Sequence, residues 1–173
     1  DLMAAAHADA VHGAEICRDL QDRLVMIARV SDAGAFVNTN ALTLKRSHGD
    51  YSVMQLLYDG SEIKAVLDFV NAGEVPIAWE LIRSYSYMDC TFNAARLAAY
   101  TNEYRRYAEV SMDDLRYMPY LYLGQLLSST YGYKQYLQTG DEELLAFGRW
   151  RTEMCRYLIA NAGEVSAELV RLA

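Results

Sequence analysis

The sequence is short of several things, and each shortage excludes something. It has three cysteines in 173 residues, Cys17, Cys90 and Cys155. An odd number at wide spacing builds neither a disulfide framework nor a zinc pattern. A reducing compartment, the cytoplasm, is therefore the expectation. Positive charge is scarce too: 16 Lys and Arg stand against 23 Asp and Glu, for a net charge of −7. That sign argues against nucleic acid or an anionic membrane as a partner. It would attract a cationic small molecule, although acidic proteins are common without one. No apolar run approaches the length that spans a bilayer, and no signal peptide is visible. Internal repeats and low-complexity linkers are missing as well.

What is present is apolar: 53% of the residues are hydrophobic, enough for a globular core in a single domain over 1–173. Residues 1–13 are rich in Ala and His. His7 and His12 lie five apart, which does not place two imidazoles on one helix face. Ile16, Leu20, Leu24 and Ile27 form an amphipathic stripe that predicts a helix over 14–30. Gly34, Asn38 and Asn40 mark residues 31–40 as a loop.

Ala41 to Arg46 reads as a short strand leading into His48-Gly49-Asp50. Val53 to Tyr58 and Ile63 to Phe69 read as two strands about a hairpin turn at Asp59-Gly60-Ser61-Glu62. Antiparallel pairing brings Val53 near Asp68. Two acids 18 apart in sequence, Asp50 and Asp68, then share one end of the hairpin.

The rest reads as a loop over 71–76, then helices. These cover 77–88 behind Pro76, 93–109, a run from Ser111 to about Gln138 that Pro119 kinks or divides, and 141–161. Ser111 with Asp114 three later resembles a capping box. The coarse division is a helical entry (1–40), a loop-and-hairpin segment (41–76) and a helical subdomain (77–173). The class is α+β, mainly helical.

Phosphoryl transfer to a hydroxyl requires one carboxylate beside the acceptor and oxygen ligands for a magnesium ion on the phosphates. Protein kinases have a His, an Asp two later and a metal-binding Asn five beyond that. His48, Asp50 and Gln55 stand at that spacing, and Asp68-Phe69-Val70 stands where a kinase has Asp-Phe-Gly. The segment resembles the aminoglycoside phosphotransferase and choline kinase group, which has the protein-kinase-like fold. The residues that carry the resemblance are His48-Gly49-Asp50, then Val66-Leu67-Asp68-Phe69, then Pro76-Ile77-Ala78-Trp79-Glu80-Leu81, within roughly 45–85.

The resemblance implies a kinase-like C-terminal lobe with a small catalytic hairpin and a helical bundle. It implies an ATP- and Mg2+-dependent phosphotransferase acting on a small hydroxyl-bearing molecule of the aminoglycoside, choline or homoserine kind. Asp50 would be the catalytic base, Asp68 a metal ligand, and Gln55 the second metal ligand in place of the usual Asn. Gln keeps the amide oxygen but carries it one methylene further out. His48 would organise the loop, and Glu80 would brace the loop after Asp68.

Departures from the pattern are also visible. A kinase of this fold needs a nucleotide-binding lobe with a strand lysine, and only 47 residues precede His48, with Lys45 their single lysine and no sheet-like meander. The chain also begins at Asp1 rather than Met. The expectation is a C-terminal lobe taken from a longer phosphotransferase, which alone binds ATP poorly. The alternative is a catalytically impaired kinase-like binding or scaffold protein, suggested by Gln55. Fourteen tyrosines, among them Tyr85, Tyr122, Tyr133 and Tyr136, serve helix packing or an aromatic pocket for an ammonium group. Asp113 and Asp114 admit the same two readings, a helix cap or a lining for a cation.

Overall fold

The computed structural model describes residues 1–32, 37–89 and 92–173. Gly34 of the expected loop and Cys90 lie outside the described residues. The chain is mainly helical with two small antiparallel sheets, and its contacts divide it into two compact units. No helix among the described residues is long and apolar enough to cross a membrane.

One unit comprises residues 1–36 and 123–162. It opens with α1 (Leu2–Ala8), whose first turn is capped by the Asp1 carboxylate accepting from Met3 N–H. Then comes α2 (Gly13–Asp32), the helix expected from the Ile16–Ile27 stripe. Ile16, Cys17 and Leu20 pack in a buried cluster with Ala6, Tyr133, Tyr136 and Leu145. Leu24 and Ile27 of the same stripe are exposed. Cys17 and Cys155 are buried free thiols.

The end of α5 (Met112–Ser128), α6 (Tyr131–Thr139) and the first twenty or so residues of α7 (Glu142–Leu172) complete this unit. Gly132 meets Gly148 so closely that a Cβ on Gly132 would lie 2.5 Å from the Gly148 nitrogen. The α6 and α7 backbones therefore touch where both residues lack a side chain.

Pro119 does not divide α5. The helix passes through it, and the chain breaks later, at Ser129-Thr130. The buried Arg23 guanidinium donates there to the carbonyls of Leu126, Leu127 and Ser129. Helix-terminal carbonyls have no partner within the helix, so a side chain from α2 ends α5 where sequence punctuation was expected to.

The other unit comprises residues 37–122 and 163–173. Its strands are β1 (Leu44–Ser47), β2 (Leu56–Asp59), β3 (Glu62–Val66) and β4 (Gly73–Pro76). β2 and β3 form the expected hairpin, with Asp59 opposite Glu62 and Gly60 at φ +60° in the turn. β2 is shorter than expected. Val53–Gln55 forms a 3-10 turn capped by the Ser52 hydroxyl, so the pairing expected to bring Val53 near Asp68 ends with Gln55 bonded to Leu67.

The segment expected as a loop over 71–76 contains β4, which pairs with β1 from Leu44↔Pro76 to Ser47↔Gly73. Pro76 is the last residue of the strand, where its missing N–H interrupts no ladder. It is also the N-cap of α3 (Ile77–Ser86), whose first amide, Ile77 N–H, donates to the Thr43 carbonyl. β1, β4 and α3 are thus joined end to end.

α4 (Ala94–Arg105) follows, with the Asn93 side chain capping Arg96 N–H. The capping box at the start of α5 forms as expected. Ser111 Oγ accepts from Asp114 N–H, and Asp114 Oδ2 accepts from Ser111 N–H. Asp114 also accepts from Thr43 N–H and so ties α5 to the entry of β1. The last helix runs to Leu172, past the expected end at Asn161, because Val165 and Leu169 continue its buried stripe.

Candidate functional site

β1 delivers the chain into His48-Gly49-Asp50-Tyr51. His48 is buried between two loops. Its Nδ1 accepts from Asp50 N–H at 3.3 Å, so Nε2 carries the proton and donates to the Leu67 carbonyl at 2.6 Å. This fixes a neutral tautomer. The imidazole ties the loop bearing Asp50 to the residue before Asp68. Its ring also packs against Phe69, 4.6 Å between centroids.

Gly49 makes a second tie. It sits at φ +78°, and a Cβ on it would fall 2.0 Å from the Asn71 carbonyl oxygen. Only glycine fits that approach.

Glu80, in the first turn of α3, makes the third. Its Oε2 accepts from Gly49 N–H at 3.1 Å and its Oε1 from Tyr51 N–H at 3.0 Å. The residue is 7% exposed. Glu80 therefore braces the loop before the hairpin, not the one after Asp68 as the sequence suggested. The loop after Asp68 is held by His48 and by the fit of Gly49 against Asn71.

Asp50 is partly buried. Its Oδ1 accepts from Arg83 on α3, a partner that sequence spacing did not reveal. The signal was available: Arg83 lies three residues after Glu80, within one turn on the same helix. The Asp50 Oδ2 has no partner among the described residues. Asp68 stands at φ 60°, ψ 62°, a left-handed conformation that Asp tolerates better than most residues. The residue is exposed, and among the described residues its carboxylate makes no hydrogen bond or ion pair and the Gln55 amide has no side-chain partner. Backbone pairing holds Gln55 next to the Asp68 segment, since Leu67 N–H donates to the Gln55 carbonyl at 2.8 Å.

Asp68 and Gln55 thus offer hard oxygen donors that no side chain engages among the described residues, and their chemistry fits a magnesium ion. Among the described residues, no group of three or more His, Cys, Asp or Glu gathers to hold a metal. Magnesium does not need such a cage. It is commonly held by one or two carboxylates together with water and the phosphates of a substrate.

The family model described as the phosphotransferase enzyme family matches residues 5–110, more than half of the chain and all of this site. The chain belongs to the phosphotransferase enzyme family. The match is consistent with the resemblance carried by His48–Leu81. No curated protein and no solved structure matches the chain.

In this phosphotransferase-family chain an open cavity of about 360 Å³ lies beside the His-Gly-Asp loop. Its lining includes His48, Tyr51, Glu80, Ser84, Tyr100 and Tyr104. Burial pushes the Tyr51, Tyr100 and Tyr104 phenols up from their ordinary value, and the Glu80 charge adds to the shift at Tyr100 and Tyr104. All three rings are therefore neutral hydroxyl donors at physiological pH. The tyrosines singled out in the sequence are placed differently. Tyr85, Tyr122, Tyr133 and Tyr136 are buried, with hydroxyls bonded to Asp89, Ser86, Asp19 and Asp9. Asp113 pairs with Arg116, and Asp114 caps its helix.

Proposed function

We propose that this chain carries the acceptor-side and metal-side residues of a kinase-like phosphotransferase, in a protein-kinase-like large lobe. The reaction moves the terminal phosphoryl group of ATP to a hydroxyl of a small molecule. The observation that carries this reading is the shared tether. His48 and Gly49 lock the Asp50 loop to the Asp68 loop and Glu80 braces the Asp50 loop, while Asp50 Oδ2, the Asp68 carboxylate and the Gln55 amide have no side-chain partner among the described residues. These groups reach solvent, so a substrate hydroxyl or a metal ion can replace the water on them.

In this reading Asp50 Oδ2 orients the acceptor hydroxyl and takes its proton. Asp68 and Gln55 would hold magnesium, which when bound neutralises charge on the donor's phosphates. Glu80 and His48 hold the carboxylates in place and touch no substrate. The acidic net charge and the tyrosine-lined cavity beside the loop favour an acceptor carrying an amino or ammonium group.

The test is phosphate transfer from Mg-ATP to a panel of small alcohols and amino alcohols. Asp50→Asn and Asp68→Asn should each lower turnover by about 100-fold or more, with the fold unchanged by circular dichroism. Undiminished turnover in Asp50→Asn would sink the assignment.

One observation favours a second reading, binding without catalysis. Gln55 stands where the family motif carries Asn. That reading predicts nucleotide binding by calorimetry without transfer, and Gln55→Asn should then confer transfer.

A further inference from the structure

Trp79 and Arg83 stand at i and i+4 on one face of α3, and Tyr87, its C-cap residue, follows four further on. The guanidinium carbon of Arg83 lies 5.3 Å from the Trp79 ring centroid and 5.7 Å from that of Tyr87. Two aromatic rings therefore flank one planar cation and limit its rotation. Its Nη1 donates to Asp50 Oδ1, and the two side chains are 14% and 25% exposed.

That contact uses one of the five N–H groups of the fork. The remaining nitrogens have no hydrogen-bond partner among the described residues, and none is a buried unpaired atom, so they reach solvent. The same holds for Asp50 Oδ2. An ion pair serving only the fold gains most from a bidentate contact with both oxygens. Here one carboxylate oxygen and most of the fork of a bonded pair stay open, and the guanidinium charge is permanent.

We propose that Arg83 is a positioning residue for Asp50 and that its free N–H groups receive the phosphoryl group during transfer. The proposal rests on the phosphotransferase reading and deepens it. As the acceptor oxygen bonds to phosphorus, its proton passes to Asp50 Oδ2. The bond from phosphorus to the donor's bridging oxygen breaks, and its electron pair leaves with the nucleoside diphosphate. Charge on the three outer phosphoryl oxygens then lies across one carboxylate from the guanidinium, whose planar fork matches such oxygens.

The test uses the full-length protein with Mg-ATP and an accepted alcohol. Arg83→Ala should lower kcat by about 100-fold while the acceptor KM changes by less than about threefold. Free guanidinium in the assay should restore about tenfold of the loss. Arg83→Lys, which keeps charge but not the fork, should fall between Ala and the parent. An Arg83→Gln variant within about twofold of the parent kcat overturns the proposal. So does a well-folded Arg83→Ala whose loss guanidinium does not repair.

If the parent transfers no phosphate to any alcohol, the functional reading falls by itself. Arg83 is then judged by NMR on the Asp50→Asn chain titrated with inorganic phosphate. A shift of the Arg83 Nε–H resonance upholds anion binding there, and its absence overturns it.

Discussion

Glu80→Gln is the most informative single change, because it alters one atom and leaves the shape intact. In the protein each carboxylate oxygen accepts one backbone amide, Gly49 N–H at 3.1 Å and Tyr51 N–H at 3.0 Å. Gln offers only one oxygen. Its NH2 then points at an N–H, donor against donor, and that hydrogen bond is lost. A hydrogen bond to a charged group contributes about 1.5–3 kcal/mol, and the surviving bond drops to the neutral class near ~1 kcal/mol. Glu80 also sits in the first turn of α3, where a negative charge is favoured by about 0.3–1 kcal/mol. The expected loss is about 2–4 kcal/mol, part of it relieved by water in the adjoining cavity. Urea unfolding read at amides of the unit that contains α3 measures the total. Amide exchange supplies the local signature: Gly49 and Tyr51 should lose protection before the rest of β1 does. A loss below ~0.5 kcal/mol with unchanged exchange at Gly49 would refute the bracing argument.

Two further outcomes are expected. Gly49→Ala forces a Cβ to within 2.0 Å of a backbone oxygen at φ +78°, so the loops must part. It should cost about 2–4 kcal/mol in thermal or urea unfolding, and a cost under ~1 kcal/mol would contradict the close approach. In the other unit, the Arg149 guanidinium holds the Glu15 carboxyl below its ordinary value of 4.5. A lowered folded pKa stabilises above the unfolded value, and the gain disappears as pH falls through the folded value. Arg149→Met should therefore be less stable at pH 7 by about 1 kcal/mol or less, since both groups are about one-third exposed. The gap should close as pH falls from 4.5 through the lowered folded-state value, and a gap in urea melts that does not narrow on acidification would contradict the pairing.

Legibility in the sequence followed the range of the interactions. The hairpin, the capping box at Ser111 and the α2 stripe are local patterns, and all were readable. The pairing of β1 with β4 joins segments about thirty residues apart. β4 is four residues long and ends in Pro76, so its turn-forming residues masked it. The end of α5 depends on Arg23, more than a hundred residues away in the chain, and no local signal marks it. At the site, spacing brought out Asp50, Gln55 and Asp68. It could not assign the direction of the Glu80 brace, because a glutamate near two loops reaches either. Arg83 was missed because the motif was read only as far as Leu81, and no local pattern pairs an arginine with an aspartate 33 residues earlier.

The hairpin that carries Gln55 and ends at Asp68 has a different mechanical character from the rest of the site. It is a two-stranded ribbon that pairs with no other strand among the described residues. Leu57, Tyr58 and Ile63 are about half exposed, and Val70 just beyond is 89% exposed. Such a ribbon is marginal in water, whereas β1, β4 and α3 are joined by ladder, cap and brace. The stiff half carries Asp50 and the soft half carries the proposed metal donors. A ligand that engages both halves loses part of its binding free energy to ordering the ribbon. By reciprocity, changes at the ribbon's far tip alter apparent affinity without touching the ligand. Substitutions at Gly60, which has open space around it, would therefore register as binding effects from the opposite end of the hairpin.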